Sequence, residues 1–254
     1  MIIKPELFRI VVIAWILIAI IIFPILLKVK APYGRHTTKN WGALIDNRFG
    51  WFIMELPSLL LFLGLFISGR GIKAGVIWIL PAAWAIHYIN RIFIFPFRTR
   101  TTGKKIPVVI VGMASLFNLV NGFINGYYLG FISVKYDLLW ITDPRFIAGA
   151  ILFIAGFTIN QVSDQYLIGL RKGGQKGYFI PHHKLFRYIS CPNFAGEIVE
   201  WTGFAIMAWN LPAISFAVWT AANLIPRAIH HHQWYKNRFP DYPAKRKAII
   251  PGIV

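Results

Sequence analysis

Seven apolar runs alternate with short polar stretches along the 254 residues, at about 8–27, 50–69, 74–97, 107–131, 146–170, 195–209 and 211–234. A helix needs roughly 20 residues to cross the hydrocarbon core of a bilayer, and most of these runs reach that length. The pattern predicts an all-α integral membrane bundle of seven transmembrane helices. It forms one domain over 1–254, with cytoplasmic loops 28–49, 98–106 and 171–193 and a C-terminal tail 235–254. The first run is followed by Lys28-Val-Lys-Ala-Pro32, a poor cleavage site, so it reads as a retained span rather than a signal peptide. Asn210-Leu-Pro212 predicts a tight turn between the last two helices. The sixth run is short, which suits a tilted or partly embedded helix.

Composition agrees with a membrane protein: 57% of residues are hydrophobic and only 14% are charged. The single cysteine, Cys191, excludes an intrachain disulfide framework. The net charge of +18 would suggest nucleic acid in a soluble chain, but no compact basic domain is present. The basic residues instead orient the bundle. The loops after spans one, three and five, together with the tail and Arg227 near the end of span seven, hold 20 of the 27 Lys and Arg residues, and the opposite side holds 6. That asymmetry predicts an outside N-terminus and a cytoplasmic C-terminus, in a bacterial inner membrane or the endoplasmic reticulum.

Acidic residues are few, and Glu55, Asp164, Glu197 and Glu200 lie within or beside apolar runs. Ionisable groups at membrane depth face the bundle interior and mark function. No basic residue lies within six positions of Glu55, so its partner must come from another span. Span three carries Trp84, Tyr88 and Arg91 on one face. Arg91 needs an anionic partner, for which Glu55, Glu197 and a ligand phosphate all qualify. Asn193, Glu197 and Glu200 form one helical stripe, Arg227, His231 and Tyr235 another, and Asn160, Asp164 and Arg171 a third. Together they describe a polar cavity whose two arginines suit phosphate. Successive residues of His230-His231-His232 diverge by about 100° on a helix, so no metal site is expected there. Walker and Gly-x-Gly-x-x-Gly motifs are absent, so a dinucleotide would be held by helices and loops.

Several motifs together resemble the steroid 5α-reductase family: Pro32-Tyr-Gly-Arg-His36, Glu55-Leu-Pro-Ser58, His87-Tyr88-x-x-Arg91 and Asn125-Gly-Tyr-Tyr128. Asn160-x-x-Ser-Asp164, Asn193-Phe-x-Gly-Glu197-x-x-Glu-Trp201, Arg227-Ala-x-His-His-His-x-x-Tyr235 and Asp241-Tyr-Pro-x-x-Arg246 continue the likeness in the same order. The resemblance implies a monomeric enzyme that uses NADPH to reduce the 4,5 double bond of a 3-oxo-Δ4 steroid. It implies Glu55 and Tyr88 as the pair that polarises the 3-keto oxygen. Arg91, Asn160, Asp164, Arg171, Tyr178, Asn193, Glu197, Arg227, His231 and Tyr235 correspond to cofactor positions. Trp51, Phe117 and Trp201 correspond to aromatics of the steroid pocket. Met54 stands where well-known members carry glutamine, Phe179 where some relatives are basic, and Phe95 where some have tyrosine. The alternatives are an enone, enoyl or polyprenol reductase of the same superfamily, a membrane methyltransferase using S-adenosylmethionine, and a non-enzymatic lipid carrier.

Overall fold

A computed structural model describes residues 3–32, 34–71, 73, 75–99, 103–133, 136–171 and 177–254. Tyr33 of the Pro32–His36 motif, and Arg100, Lys135, Lys172 and Lys176 of the charge asymmetry, lie outside these residues. Seven helical segments follow the seven apolar runs: α1 Pro5–Lys28, α2 Asn47–Ser68, α3 Gly75–Arg98, α4 Val108–Ile132, α5 Pro144–Gly169, α6 Pro192–Ala208 and α7 Leu211–Arg238. The first five are long and apolar enough to cross a membrane. The last two have 17 and 28 residues, and the second carries the polar Arg227–Tyr235 stretch.

Among the described residues the all-α expectation holds apart from one short ribbon and an isolated Ile189–Lys247 bridge. Strand β1 (Leu44–Asp46) pairs antiparallel with β2 (Lys105–Pro107), matching Ile45 to Ile106. Three-residue strands carry no periodic signal, so the sequence pattern passed over them. Their effect is to set the starts of α2 and α4, each of which follows its strand directly. The side chain of Asp46 also caps α2, where Oδ1 accepts from the backbone N–H groups of Arg48 at 2.9 Å and Phe49 at 3.1 Å.

The described chain divides into two compact units. One comprises Met1–Ile13, Pro32–Ile147 and Ala208–Ala213; the other comprises Ala14–Ala31, Ala148–Met207 and Ile214–Val254. In the first, α2 and α4 run in parallel at close range because Gly122, Gly126 and Gly130 turn a bare stripe toward α2. A Cβ at Gly122 would lie 2.9 Å from the Ser58 carbonyl oxygen, and one at Gly126 2.6 Å from that of Phe62. Small residues permit this approach where no hydrophobic force draws helices together in lipid. The expected turn before α7 belongs to this unit: Asn210 Oδ1 accepts from Ala213 N at 2.9 Å, and its Nδ2 donates to the Tyr136 hydroxyl at 3.1 Å.

The second unit repeats the device with antiparallel helices. Gly149 and Gly156 of α5 face Gly203 and Gly196 of α6, and a Cβ on Gly196 would stand 2.6 Å from the Asn160 backbone nitrogen. The C-terminal half of α1 joins α7 through Trp219 Nε1, which donates to the Trp15 carbonyl at 2.9 Å. The tail docks beside the start of α6: Ser190 N donates to Lys247 O at 2.8 Å and Cys191 N to Ala248 O at 3.1 Å. Ser190 Oγ also lies 2.6 Å from the Tyr242 hydroxyl.

Candidate active site

In the first unit the polar residues of α2, α3 and α4 form one chain of contacts. The glycine stripe of α4 continues one turn earlier as Asn118, at the i−4 position from Gly122. Where the glycines leave no room for a side chain, Asn118 reaches across. Its Nδ2 donates to the Met54 carbonyl at 2.6 Å and to Glu55 Oε2 at 3.2 Å. Its Oδ1 accepts from the Tyr88 hydroxyl at 3.2 Å. Glu55 Oε1 accepts from Arg91 Nη2 at 3.1 Å. Tyr88, Asn118, Glu55 and the partly buried Arg91 therefore form a continuous network, and Tyr88 and Asn118 are almost wholly shielded from solvent.

Aromatic rings hold this network on both sides. The Arg91 guanidinium lies over the Trp51 ring at 4.6 Å and the Phe95 ring at 5.1 Å. Trp84 stacks on Tyr88 at 5.3 Å and on Phe62 at 4.5 Å. Residues Asn90–Ile94 form a π-type turn within α3, where Phe95 N–H reaches back to Asn90 O. Such turns shift the following residues around the helix and often mark functional sites; here the turn contains Arg91. The Trp51 indole Nε1 and Ser58 Oγ, both on α2, are buried without a hydrogen-bond partner among the described residues. Buried polar atoms of this kind are scarce in native folds, and a bound acceptor is one explanation for a donor such as the indole. Phe117 is half-buried next to Asn118 on α4.

Asn118 is the member of this site that sequence reasoning missed. A signal existed, since an amide in the middle of an apolar run is costly and implies a partner. We expect Asn118→Ala to strand Glu55 Oε2 and to cost about 1–3 kcal/mol. A lowered thermal unfolding midpoint in detergent is the expected result; an unchanged midpoint would mean that the amide does not tie α2 to α4.

The second unit gathers most of the remaining predicted residues. Asn160 Nδ2 donates to the Asn193 carbonyl at 3.1 Å and to Glu197 Oε2 at 3.3 Å. Asn193 Nδ2 donates to Asp164 Oδ1 at 3.0 Å. These four residues thus form one α5–α6 patch, adjoining the Gly156–Gly196 contact. Arg227 lies over the Phe194 ring at 5.4 Å, and Phe194 packs against His231 with centroids 5.5 Å apart. Arg171 lies over Tyr178 at 5.1 Å, and Tyr178 meets Trp234 edge-on. Tyr235 is buried and stacks on Tyr242 at 5.3 Å. Outside the helices, burial pushes the Tyr242 phenol above its ordinary range, so it stays protonated at neutral pH.

Two predicted residues have surroundings that sequence reasoning did not supply. Arg91, grouped with the cofactor positions, pairs with Glu55 in the first unit. Trp201 is fully buried among Phe153, Phe204 and Phe216 in the second. Each of the three consecutive histidines has its own partner: His230 meets the Leu27 carbonyl, while His231 and His232 meet the neighbouring Cys191 and Ser190.

The donor set of the second unit fits a phosphorylated dinucleotide. Two arginines, each braced on an aromatic ring, suit phosphate. Two carboxylates and two amides on one patch suit hydroxyl and carboxamide groups.

Residues 104–254 match the family described as 3-oxo-5-alpha-steroid 4-dehydrogenase. The chain is 40% identical over 242 residues to 3-oxo-5-alpha-steroid 4-dehydrogenase 1 of Bos taurus, covering 93% of each chain. It is 39% identical over 228 residues to steroid 5-alpha-reductase DET2 of Gossypium hirsutum, covering 88% of each. With 3-oxo-5-alpha-steroid 4-dehydrogenase 2 of Sus scrofa it shares 41% over 224 residues, or 87% of each.

Proposed function

The chain belongs to the 3-oxo-5-alpha-steroid 4-dehydrogenase family, and on that premise we propose that it reduces the 4,5 double bond of 3-oxo-Δ4 steroids with NADPH. The observation that carries this reading is the Tyr88–Asn118–Glu55–Arg91 network, bounded by Trp51, Trp84 and Phe95. It offers a few directed polar groups within an apolar, aromatic setting, as a rigid hydrophobic ligand with one keto group requires.

NADPH, when bound, supplies the hydride that adds at C5. Asn160, Asp164, Asn193 and Glu197, with Arg171, Tyr178, Arg227, His231 and Tyr235, would hold the cofactor. As electron density moves onto the 3-keto oxygen, Tyr88 turns its O–H from Asn118 to that oxygen. Glu55 provides the second hydrogen bond. It accepts from Arg91 and Asn118 in this arrangement, so it donates to the keto group only when one of its oxygens carries a proton. Such donors act most strongly on the charge that develops in the transition state. Arg91 is assigned to positioning Glu55, and Trp51 and Phe117 to the walls of the steroid pocket. Proton uptake at C4 completes the reduction. All seven helices would cross the bilayer, with the tail on the cytoplasmic side, where the soluble cofactor is found.

Purified protein in detergent, supplied with NADPH and testosterone or progesterone, should oxidise the cofactor and yield the 5α-reduced steroid. Turnover of a polyprenal or an enoyl thioester, with none on any 3-oxo-Δ4 steroid, would reassign the substrate. Arg171→Ala removes a charge-assisted phosphate contact worth about 1.5–3 kcal/mol. The KM for NADPH should rise at least about tenfold, with the KM for steroid little changed. An unmoved NADPH KM would take Arg171 out of the phosphate site.

A further inference from the structure

An apolar groove lies in the second unit, on a different side of α5 from the proposed cofactor residues. Thr158, Ile159, Val162 and Tyr166 of α5 and Leu185 and Phe186 of the following loop line a groove of about 240 Å³. At 100° per residue, the Thr158–Val162–Tyr166 stripe is turned roughly 150° from Asn160 and Asp164. Carbon atoms make up nearly all of the lining, and Val162 and Leu185 remain partly exposed in it.

The groove is preformed. Tyr166 fastens the loop to the helix: its ring stacks on His183 at 5.3 Å and packs against Phe186 at 5.5 Å, and its hydroxyl accepts from His182 N at 3.4 Å. Phe186 is almost wholly buried beneath. Lys184, at the rim, has φ +52°, a left-handed conformation unusual for lysine. Conformations of that kind persist where the surroundings impose them, and they cluster at ligand clamps.

Basic residues border the groove. His183 and Lys184 line it, His182 and Arg187 adjoin that stretch in sequence, and all four are exposed; no acidic residue occurs between Asp164 and Glu197. A cavity smaller than the ~300–1,000 Å³ of drug-sized sites suits a flexible chain better than a rigid ring system. Basic residues flanking apolar helices attract anionic headgroups. We propose that this groove binds one acyl chain of an anionic phospholipid, with the phosphate held at Lys184 and the neighbouring basic residues.

Native mass spectrometry of the delipidated full-length protein, titrated with dioleoyl phosphatidylglycerol or dioleoyl phosphatidylcholine, tests this. One phosphatidylglycerol should bind at least tenfold more tightly than phosphatidylcholine. Lys184→Asn removes the charge with a residue that tolerates the left-handed backbone, and should bring the two lipids to within about twofold. Val162→Trp, or Thr158→Trp should the first not fold, fills the groove and should abolish this binding. Equal retention of both lipids by the unaltered protein would overturn the proposal, as would undiminished phosphatidylglycerol binding in the folded tryptophan variant. So would glycerol phosphate displacing the lipid at equal concentration, because the anion alone would then account for the site.

Discussion

Glu55→Gln and Tyr88→Phe should each lower kcat for steroid reduction by about 10²–10³, while NADPH still binds with near-normal affinity. For Tyr88→Phe the magnitude follows from losing one donor to an oxygen that gains charge in the transition state. For Glu55→Gln it follows from replacing an acidic O–H with a weaker amide donor and breaking the Arg91 pair that positions it. The separation of effects follows from location, since both residues belong to the first unit and the proposed cofactor residues other than Arg91 to the second. Tyr88→Phe removes only the hydroxyl and leaves the ring on Trp84, so the fold should survive. Glu55→Gln keeps the shape but takes the charge from Arg91 and places an N–H₂ group where Arg91 or Asn118 now donates. It should therefore be the less stable variant as well as a slow one. Single-turnover rates and cofactor binding, measured on the same preparations, separate these outcomes. Wild-type turnover in both variants would remove the keto-polarising role from the pair, whatever the steroid.

Reading along single helices recovered much of this site, because residues four apart on one helix share a face whatever surrounds them. Tyr88, one turn from Trp84, was singled out in that way, as was the Asn193–Glu197 stripe that meets Asn160 across α5 and α6. Glu55 stood out instead as an isolated acid in an apolar run. The runs that mark the helices were legible too, and their ends agree with the folded segments to within four residues. Partners between helices were not legible. Arg91 had three eligible anions in the sequence, and only the close approach of α2, α3 and α4 selects Glu55. Asn118 passed unnoticed because its partners on α2 lie 63 and 64 residues away, one of them a backbone carbonyl that no sequence pattern reveals. For Trp201 the resemblance supplied a role but not its neighbours, which are Phe153, Phe204 and Phe216.

The glycine stripes carry the other large effect, since they bring the polar residues within reach. Gly126→Leu should unfold the first unit or separate α2 from α4, because a Cβ there would stand 2.6 Å from the Phe62 carbonyl oxygen and 2.7 Å from its Cα. Backbone atoms cannot turn aside as a flexible side chain can. The cost should therefore reach or exceed the ~3 kcal/mol upper range of ordinary overpacking. Any separation lengthens the contacts that Asn118, two turns earlier on α4, makes with Met54 and Glu55. Activity should fall further than heat stability alone explains. Gly112 supplies the control on the same helix: no atom lies within 4 Å of a Cβ placed there. Leucine at that position should be neutral, or stabilising by up to about 1 kcal/mol through helix propensity. Thermal midpoints and turnover measured side by side decide the matter. If Gly126→Leu and Gly112→Leu behave alike, the close contact of α2 and α4 is not what holds Asn118 against Glu55.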